Sequence, residues 1–233
     1  MTIAGGRRRR GRRGLPTALA ALALALVTAC GAPTAHPAPS TTVPSTMPPV
    51  APPPPVAAVP PGPPAAGLHA GPGTLATYSV QPQAAPGACR YRWVGTDPLP
   101  DPSCTPGATN PQVTRADLAS TVCAAGWTAT VRPPTTVTGP EKVASASAYG
   151  YLGPSSTAEY DHLVPLELGG DPNDPANLWL EPNDRPGATS FTNSKDGLEN
   201  RLRALVCDGR LPLATAQLAI AGDWVAALQV YGT

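Results

Sequence analysis

The chain has 233 residues, among them 33 prolines and 23 glycines, and its formal net charge at pH 7 is +1. Six of its 16 basic residues are arginines between positions 7 and 13; the other 10, set against 15 acidic residues, give −5. The body of the chain is therefore mildly acidic and lacks the basic surface that is typical of nucleic-acid-binding proteins.

The N-terminus, residues 1–29, has the three parts of an export signal. Arginines at 7–13 form a positive region, and an apolar stretch over 15–27 follows, about as long as a signal-peptide core and short for a membrane span. Small residues then precede Cys30. This resembles a bacterial lipobox, which implies cleavage before Cys30 and a lipid on its sulfur; the alternative is an ordinary secretory signal. We expect an extracytoplasmic protein, lipid-anchored to the outer face of the cytoplasmic membrane or secreted.

Residues 30–73 are predicted to form a disordered linker after the lipidated cysteine. Residues 32–73 include 15 prolines and no charged side chain, and such a composition cannot bury enough apolar surface to fold. Forty residues of polyproline II would reach roughly 100 Å. A spacer is favoured over a ligand for SH3-type domains, and folding is expected to begin near Thr74.

Four cysteines remain beyond Cys30, and outside the cytoplasm they indicate two disulfides with three possible connectivities. We favour Cys89–Cys104, which closes a short loop, and Cys123–Cys207, which ties the ends of the domain together. The alternative is a zinc site made by all four, but no Cys-x-x-Cys pair is present.

The N-terminal part of the folded domain, 74–157, is predicted to hold two short helices and a strand. A capping sequence at Thr114 starts a helix that Gly126 ends. The alternating, β-rich residues 127–132 predict a strand, which Pro133 and Pro134 end. Residues 141–149 are the second helix.

The C-terminal part, 158–233, is predicted as two strands followed by two helices. The strands cover 160–166, which leads into a turn at Gly169 and Gly170, and 177–180. A loop over 182–191 then leads to a helix capped by Asn193 and ended by Gly209. The last helix covers 213–228, with Trp224 beside its buried face.

The prediction of function depends mainly on His162, because the other histidines, His36 and His69, fall in low-complexity sequence. The residues Asp161-His162-Leu-Val-Pro-Leu-Glu-Leu-Gly-Gly, followed by Asn177-Leu and a helix with a polar start, resemble the HNH-type (ββα-metal, His-Me finger) endonucleases. The resemblance is strongest over 158–206, and other segments look like secreted proteins of high-GC bacteria. It implies an α+β fold: a small disulfide-braced domain with a ββα-metal core and flanking helices after the proline-rich linker.

The resemblance also implies roles for these residues. His162 would be the general base and Asn177 would orient it or its loop, while Asp161 would supply an oxygen ligand to a divalent metal. For the helix-borne ligands we choose Asp196 and Asn200, which are four residues apart, with Asn193 and Glu199 as competitors. Such oxygen ligands favour Mg²⁺ or Mn²⁺ over Zn²⁺.

The sequence is compatible with two functions. The first is an extracytoplasmic, metal-dependent nuclease, monomeric, that hydrolyses phosphodiester bonds in DNA or RNA. The second is a non-catalytic envelope lipoprotein on a degenerate HNH-like scaffold that binds a cell-wall component or a partner protein; His162 would then be structural. Sequence motifs of serine hydrolases, zinc proteases and phosphate-loop enzymes are missing.

Overall fold

The computed structural model describes residues 67–232. The predicted signal peptide, Cys30 with its predicted lipid, His36 and the linker up to residue 66 lie outside the described residues. The described part contains both helices and short strands, which confirms the α+β class.

Six short strands form three two-stranded sheets. They are β1 (His69–Ala70), β2 (Arg92–Val94), β3 (Asp97–Leu99), β4 (Ala108–Thr109), β5 (Ala158–His162) and β6 (Leu178–Pro182). β1 pairs with β4 in parallel, whereas β2 with β3 and β5 with β6 form antiparallel pairs. The β5–β6 pair carries the Asp161-His162 sequence and is the frame of the candidate site.

β1 lies inside the range predicted as linker. Beside it, the amide of Gly71 donates to the carbonyl oxygen of Thr109 at 2.9 Å. His69, assigned above to low-complexity sequence, belongs to this strand, and its Nε2 is 3.3 Å from Oδ2 of Asp174. Contacts with the domain thus begin before Thr74, and they depend on partners far along the chain that local composition does not reveal.

Four α-helices and three 3₁₀ segments complete the described part. The helices are α1 (Trp127–Val131), α2 (Thr135–Ala148), α3 (Lys195–Cys207) and α4 (Leu213–Tyr231), and the 3₁₀ segments are Arg115–Ser120, Ser155–Thr157 and Leu166–Leu168. The last two helices were predicted. The N-cap position of α3 is Ser194, one residue after the predicted cap, but Oδ1 of Asn193 still accepts the amide of Asp196 at 2.8 Å.

The predicted strand over 127–132 is wrong, because these residues form α1. Gly126 precedes the helix with a φ of +77°, a conformation that glycine adopts readily, and it turns the chain into the helix. A run of six residues, four of them Thr, Ala or Val, fits a strand or a short helix equally well, so its surroundings decide. Pro133 and Pro134 end the segment as predicted.

Two predicted helices differ in extent. The first, from Thr114, is only the 3₁₀ segment that ends at Ser120; Thr114 caps it by accepting the amide of Ala116 at 3.2 Å, and the backbone leaves helical geometry at Thr121. The second, α2, starts before residue 141 and contains Pro140. Proline removes one backbone donor from the helix, whose inner face buries Val137, Glu141, Ser145 and Ala148.

Both favoured disulfides are confirmed. Cys89 pairs with Cys104 and Cys123 with Cys207, with Cα–Cα distances of 6.0 and 5.6 Å. All four cysteines are consumed, so they form no zinc site. Disulfides are consistent with an extracytoplasmic location.

The core lies where α3 and α4 pack together below β6. Trp179 is completely buried, and so is Trp224, which was predicted to lie beside the buried face of the last helix. The indole Nε1 of Trp224 donates to the carbonyl oxygen of Pro98 at 2.8 Å, which ties α4 to β3. Leu198 and Leu202 form the buried stripe of α3 and fix which of its sides faces β5.

α4 is the one helix within residues 67–232 that is long and apolar enough to cross a membrane by length and composition. The core helix of a soluble protein meets the same criterion, and α4 contributes Ile220 and Trp224 to the core. The helix is interrupted at Asp223, where the backbone is extended (φ −160°, ψ 94°). Oδ1 of Asp223 accepts the amide of Ala226 at 2.9 Å and so caps the second half.

Candidate functional site

The β5–β6 pair places Asp161 and His162 on two sides of the same strand. Asp161 lies opposite Trp179 and His162 lies opposite Leu178. Because neighbouring side chains on a strand point to opposite faces, the carboxylate and the imidazole meet different partners. Asp161 meets α3, and His162 meets the turn that connects β5 to β6.

Asn177 holds that turn in place. Its Oδ1 accepts the amides of Val164 and Ala108, at 3.0 and 3.2 Å, and its Nδ2 donates to the carbonyl oxygens of Val164 and Asp171, both at 3.0 Å. The side chain is 0% exposed. Asn177 therefore joins the two ends of the turn, which fits the orienting role that the resemblance implies.

The glycine pair is needed for a close approach as well as for a turn. Gly169 has a φ of +71° and ends the 3₁₀ segment 166–168. A Cβ on Gly170 would lie 1.7 Å from the carbonyl oxygen of Val164 and 2.8 Å from Nδ2 of Asn177. Only glycine fits there, because the backbone passes directly over the Asn177 amide.

His162 is held as a neutral imidazole. Its Nε2 lies 3.0 Å from the carbonyl oxygen of Pro172, and the residue is 5% exposed. Burial lowers the pKa of His162 to about 4, against the opposing effect of the negative charge on Asp161. A carbonyl can only accept a hydrogen bond, so Nε2 carries the proton and Nδ1 keeps its lone pair.

The His162 side chain lines a small polar cavity of about 80 Å³. The residues around it are Thr128, Arg132, Asp161, His162, Pro165, Leu166, Glu167 and Glu199. Arg132 is exposed and brings a positive charge from the end of α1. A larger cavity, about 460 Å³, lies beside the link between α3 and α4. Its lining is mostly apolar and includes no residue of the candidate site.

Lys195 is buried at the start of α3 with its ammonium among oxygen atoms. Nζ donates to Oδ2 of Asp161 at 2.6 Å, to Oε1 of Glu199 at 2.5 Å and to the carbonyl oxygen of His162 at 2.9 Å. The side chain is 0% exposed. Burial by itself would lower the pKa of Lys195, but Asp161, Glu199 and Glu181 raise it well above its ordinary value, so the ammonium stays charged.

Glu181 is a third carboxyl group in this cluster. It is fully buried in β6, and neither of its oxygens has a hydrogen-bond donor among the described residues. Burial raises the pKa of Glu181 well above its ordinary range, and the neighbouring charge on Asp161 adds to that effect. The pKa of Glu199 is raised to about 8, again chiefly by burial.

The helix residues chosen as metal ligands are placed differently from the prediction. Asp196 and Asn200 are both exposed, and Nδ2 of Asn200 donates to the carbonyl oxygen of Asp196 within the helix. The pair that faces Asp161 is Lys195 and Glu199, one position earlier. Residues 195, 198, 199 and 202 share one helix face. The apolar residues Leu198 and Leu202 indicate that this face is buried, so Lys195 and Glu199 could have been placed there from the sequence.

Arg132 and Glu181 were not predicted to belong to the site. Arg132 was assigned to a strand, and the helical turn of α1 brings it to the cavity. Glu181 comes directly after the strand predicted over 177–180, although it belongs to β6, and it carries no local sign of burial. Its position opposite Glu159 in the β5–β6 register becomes evident only from the strand pairing.

The residues present do not fit a divalent metal ion at Asp161. Oδ2 of Asp161 already accepts from the Lys195 ammonium, and the two chosen helix ligands point to solvent. Within residues 67–232, no group of three or more His, Cys, Asp or Glu side chains is arranged to hold a metal ion. The Mg²⁺ or Mn²⁺ expected from the resemblance thus stays a prediction.

The elements around the site follow the order that the resemblance implies, which is a strand, a glycine turn, a second strand and a helix. Its Asp161, His162 and Asn177 lie together around the turn, whereas the helix brings a lysine rather than a metal ligand. Comparison with known proteins found no matching family model, no matching curated protein and no matching solved structure, so the likeness to HNH-type nucleases rests on these residues alone.

Proposed function

We propose that this chain is an extracytoplasmic nuclease of HNH type that hydrolyses phosphodiester bonds in DNA or RNA, with His162 as the general base. One observation carries the proposal. The Pro172 carbonyl fixes the proton on Nε2 of a neutral His162, which leaves Nδ1 with its lone pair, and His162 lines a polar cavity that Arg132 also lines. A neutral imidazole of fixed tautomer is the form that a base needs.

In this reaction Nδ1 of His162 takes a proton from a water molecule in the cavity. The water oxygen then forms a bond to phosphorus, the bond to the leaving oxygen breaks, and that oxygen takes a proton from solvent. Arg132 would offset the negative charge of the phosphate, since a guanidinium matches phosphate oxygens in geometry and charge. Asn177 acts by positioning, because it holds the turn that carries the Pro172 carbonyl.

The setting of the reaction is part of the proposal. The two disulfides are consistent with a location outside the cytoplasm. The lipid on Cys30, the anchoring to the outer face of the membrane and the monomeric state are proposed from the sequence. Because the chain after its N-terminal arginines is mildly acidic, its nonspecific electrostatic attraction to nucleic acid is weak. We therefore expect the rate of cleavage to be higher at low salt.

The test is nicking of supercoiled plasmid by the mature chain, residues 30–233, in Mg²⁺, in Mn²⁺ and in EDTA. His162→Ala is expected to lower the rate by roughly 10²- to 10⁴-fold, because it removes the base. The matched control is His69→Ala, since this histidine is 60% exposed and lies in β1. Equal nicking by wild type and His162→Ala under all three conditions would contradict the proposed role.

A second function is favoured by the buried ion pair. A lysine that satisfies Asp161 and Glu199 is what a non-catalytic HNH-like scaffold would contain, and such a lipoprotein would bind a cell-wall component or a partner protein. This candidate predicts no nicking by wild type under any of the three conditions. It also predicts no thermal stabilisation by millimolar Mg²⁺, Mn²⁺ or Zn²⁺.

A further inference from the structure

Lys195 and Asp161 are placed as an amine and a carboxyl group that can react with each other. Nζ of Lys195 lies 2.6 Å from Oδ2 of Asp161. The carboxyl carbon is one bond of about 1.2 Å away from that oxygen, so it lies within about 3.9 Å of Nζ. Reacting atoms in a near-attack arrangement are about 3–3.5 Å apart, and holding them there replaces an encounter in solution. The contact is therefore close to the geometry from which an amide bond forms.

The pair is shielded from water. Lys195 is 0% exposed, and Asp161 lies opposite the completely buried Trp179 in the β5–β6 register. Leu198, on the same face of α3 as Lys195, is also buried. Two opposite charges in such a place carry a desolvation cost that their attraction can fail to offset. A neutral amide in their place removes that cost, and the exclusion of water favours a reaction that releases water.

Glu199 supplies the proton acceptor that such a reaction needs. An ammonium has no lone pair, so Nζ must lose a proton before it can attack a carbon atom. Oε1 of Glu199 lies 2.5 Å from Nζ, within the reach that proton transfer requires. Glu199 is four residues after Lys195 on α3, so the helix itself holds the two side chains together.

We propose that Lys195 and Asp161 form an intramolecular isopeptide bond, with Glu199 as the proton carrier. Oε1 of Glu199 takes one proton from the ammonium, and the lone pair of Nζ forms a bond to Cγ of Asp161. The bond from Cγ to one carboxylate oxygen breaks. That oxygen leaves as water, with the proton from Glu199 and a second proton from the nitrogen.

The reaction consumes one ammonium and one carboxylate, so its atoms and charges balance without a further reactant. The product joins the end of β5 to the start of α3 by a covalent bond, in addition to the two disulfides. The inference concerns the covalent structure of the domain and does not rest on the proposed cleavage.

The test is the intact mass of the unlipidated mature chain, unfolded in denaturant with its disulfides reduced. Wild type is expected to be lighter than its sequence by one water molecule, and digestion should release a branched peptide in which Lys195 is joined to Asp161. Lys195→Gln removes the amine with almost no change in residue mass, so it should be heavier than wild type by one water molecule. Lys142→Gln is the matched control and should keep the loss, because Nζ of Lys142 bonds only to the carbonyl oxygens of Ser155 and Ala158.

Glu199→Gln keeps the amine and the carboxyl group but removes the proton acceptor, so bond formation should slow by roughly 10²-fold or more. Bond formation at the wild-type rate in this variant would overturn the role of Glu199. Wild type at its full sequence mass would overturn the isopeptide bond itself. A loss of water that persists in Lys195→Gln would overturn it equally, since it would arise elsewhere, for example by cyclisation of Asp196 onto the Gly197 amide. None of these results depends on the comparison of His162→Ala with wild type in plasmid nicking.

Discussion

Asn177→Ala is expected to lower the free energy of unfolding by about 4 kcal/mol, measured by urea denaturation. The substitution leaves two amides and two carbonyl oxygens without their partner in a fully buried place, and each such group costs about 1–3 kcal/mol before the site relaxes. The turn between β5 and β6 would lose the side chain that joins its ends. Positioning of His162 would be lost with it.

Asn200→Ala is the matched control for that loss. Asn200 is exposed and its amide bonds only to the Asp196 carbonyl in the same helix, so a change within about 0.5 kcal/mol is expected. A decrease of less than about 1 kcal/mol for Asn177→Ala would show that solvent or movement of the turn replaces its four hydrogen bonds.

Removal of the Cys123–Cys207 disulfide by a double serine substitution is expected to lower stability by roughly 4–5 kcal/mol. The bridge spans 84 residues, and the loop-entropy relation assigns a larger effect to a longer closed loop. It also joins the segment before α1 to the end of α3, and Arg132, which follows α1, and Glu199 of α3 both line the cavity. The measurement is guanidinium denaturation under non-reducing conditions.

The Cys89–Cys104 pair provides the comparison. It spans 15 residues, for which the same relation gives about 3 kcal/mol. We therefore expect the longer bridge to be the more stabilising of the two. The reverse order would contradict the entropic account and would indicate that residual structure in the unfolded chain already brings Cys123 near Cys207.

Sequence patterns predicted the parts of the fold that depend on neighbouring residues. The hydrogen-bonding side chain of Asn193 before α3 and the glycine turn are local features, and each lies where it was expected. The disulfide pairing also followed from loop lengths. By contrast, α1 was predicted as a strand, because a short Thr- and Val-rich run carries no preference strong enough to outweigh its surroundings.

The site was only half predictable for a similar reason. Asp161, His162 and Asn177 are adjacent to the turn in sequence, so their association could be anticipated. Which residue of α3 faces Asp161 depends on how the helix is rotated about its own axis. A shift of one residue puts Lys195 there in place of Asp196. Glu181 reaches the cluster through strand pairing across the whole turn, which no local pattern encodes.

As the proposed base, His162 must be a neutral imidazole with its proton on Nε2. Long-range ¹H–¹⁵N NMR spectra of the mature chain, with His162→Ala for assignment, measure this across a pH titration. Because burial lowers the pKa to about 4, the ring should stay neutral from pH 8 down to about 5 and take up a proton on Nδ1 only below that. A charged His162 at pH 6, or a neutral ring with its proton on Nδ1, would contradict the proposed base.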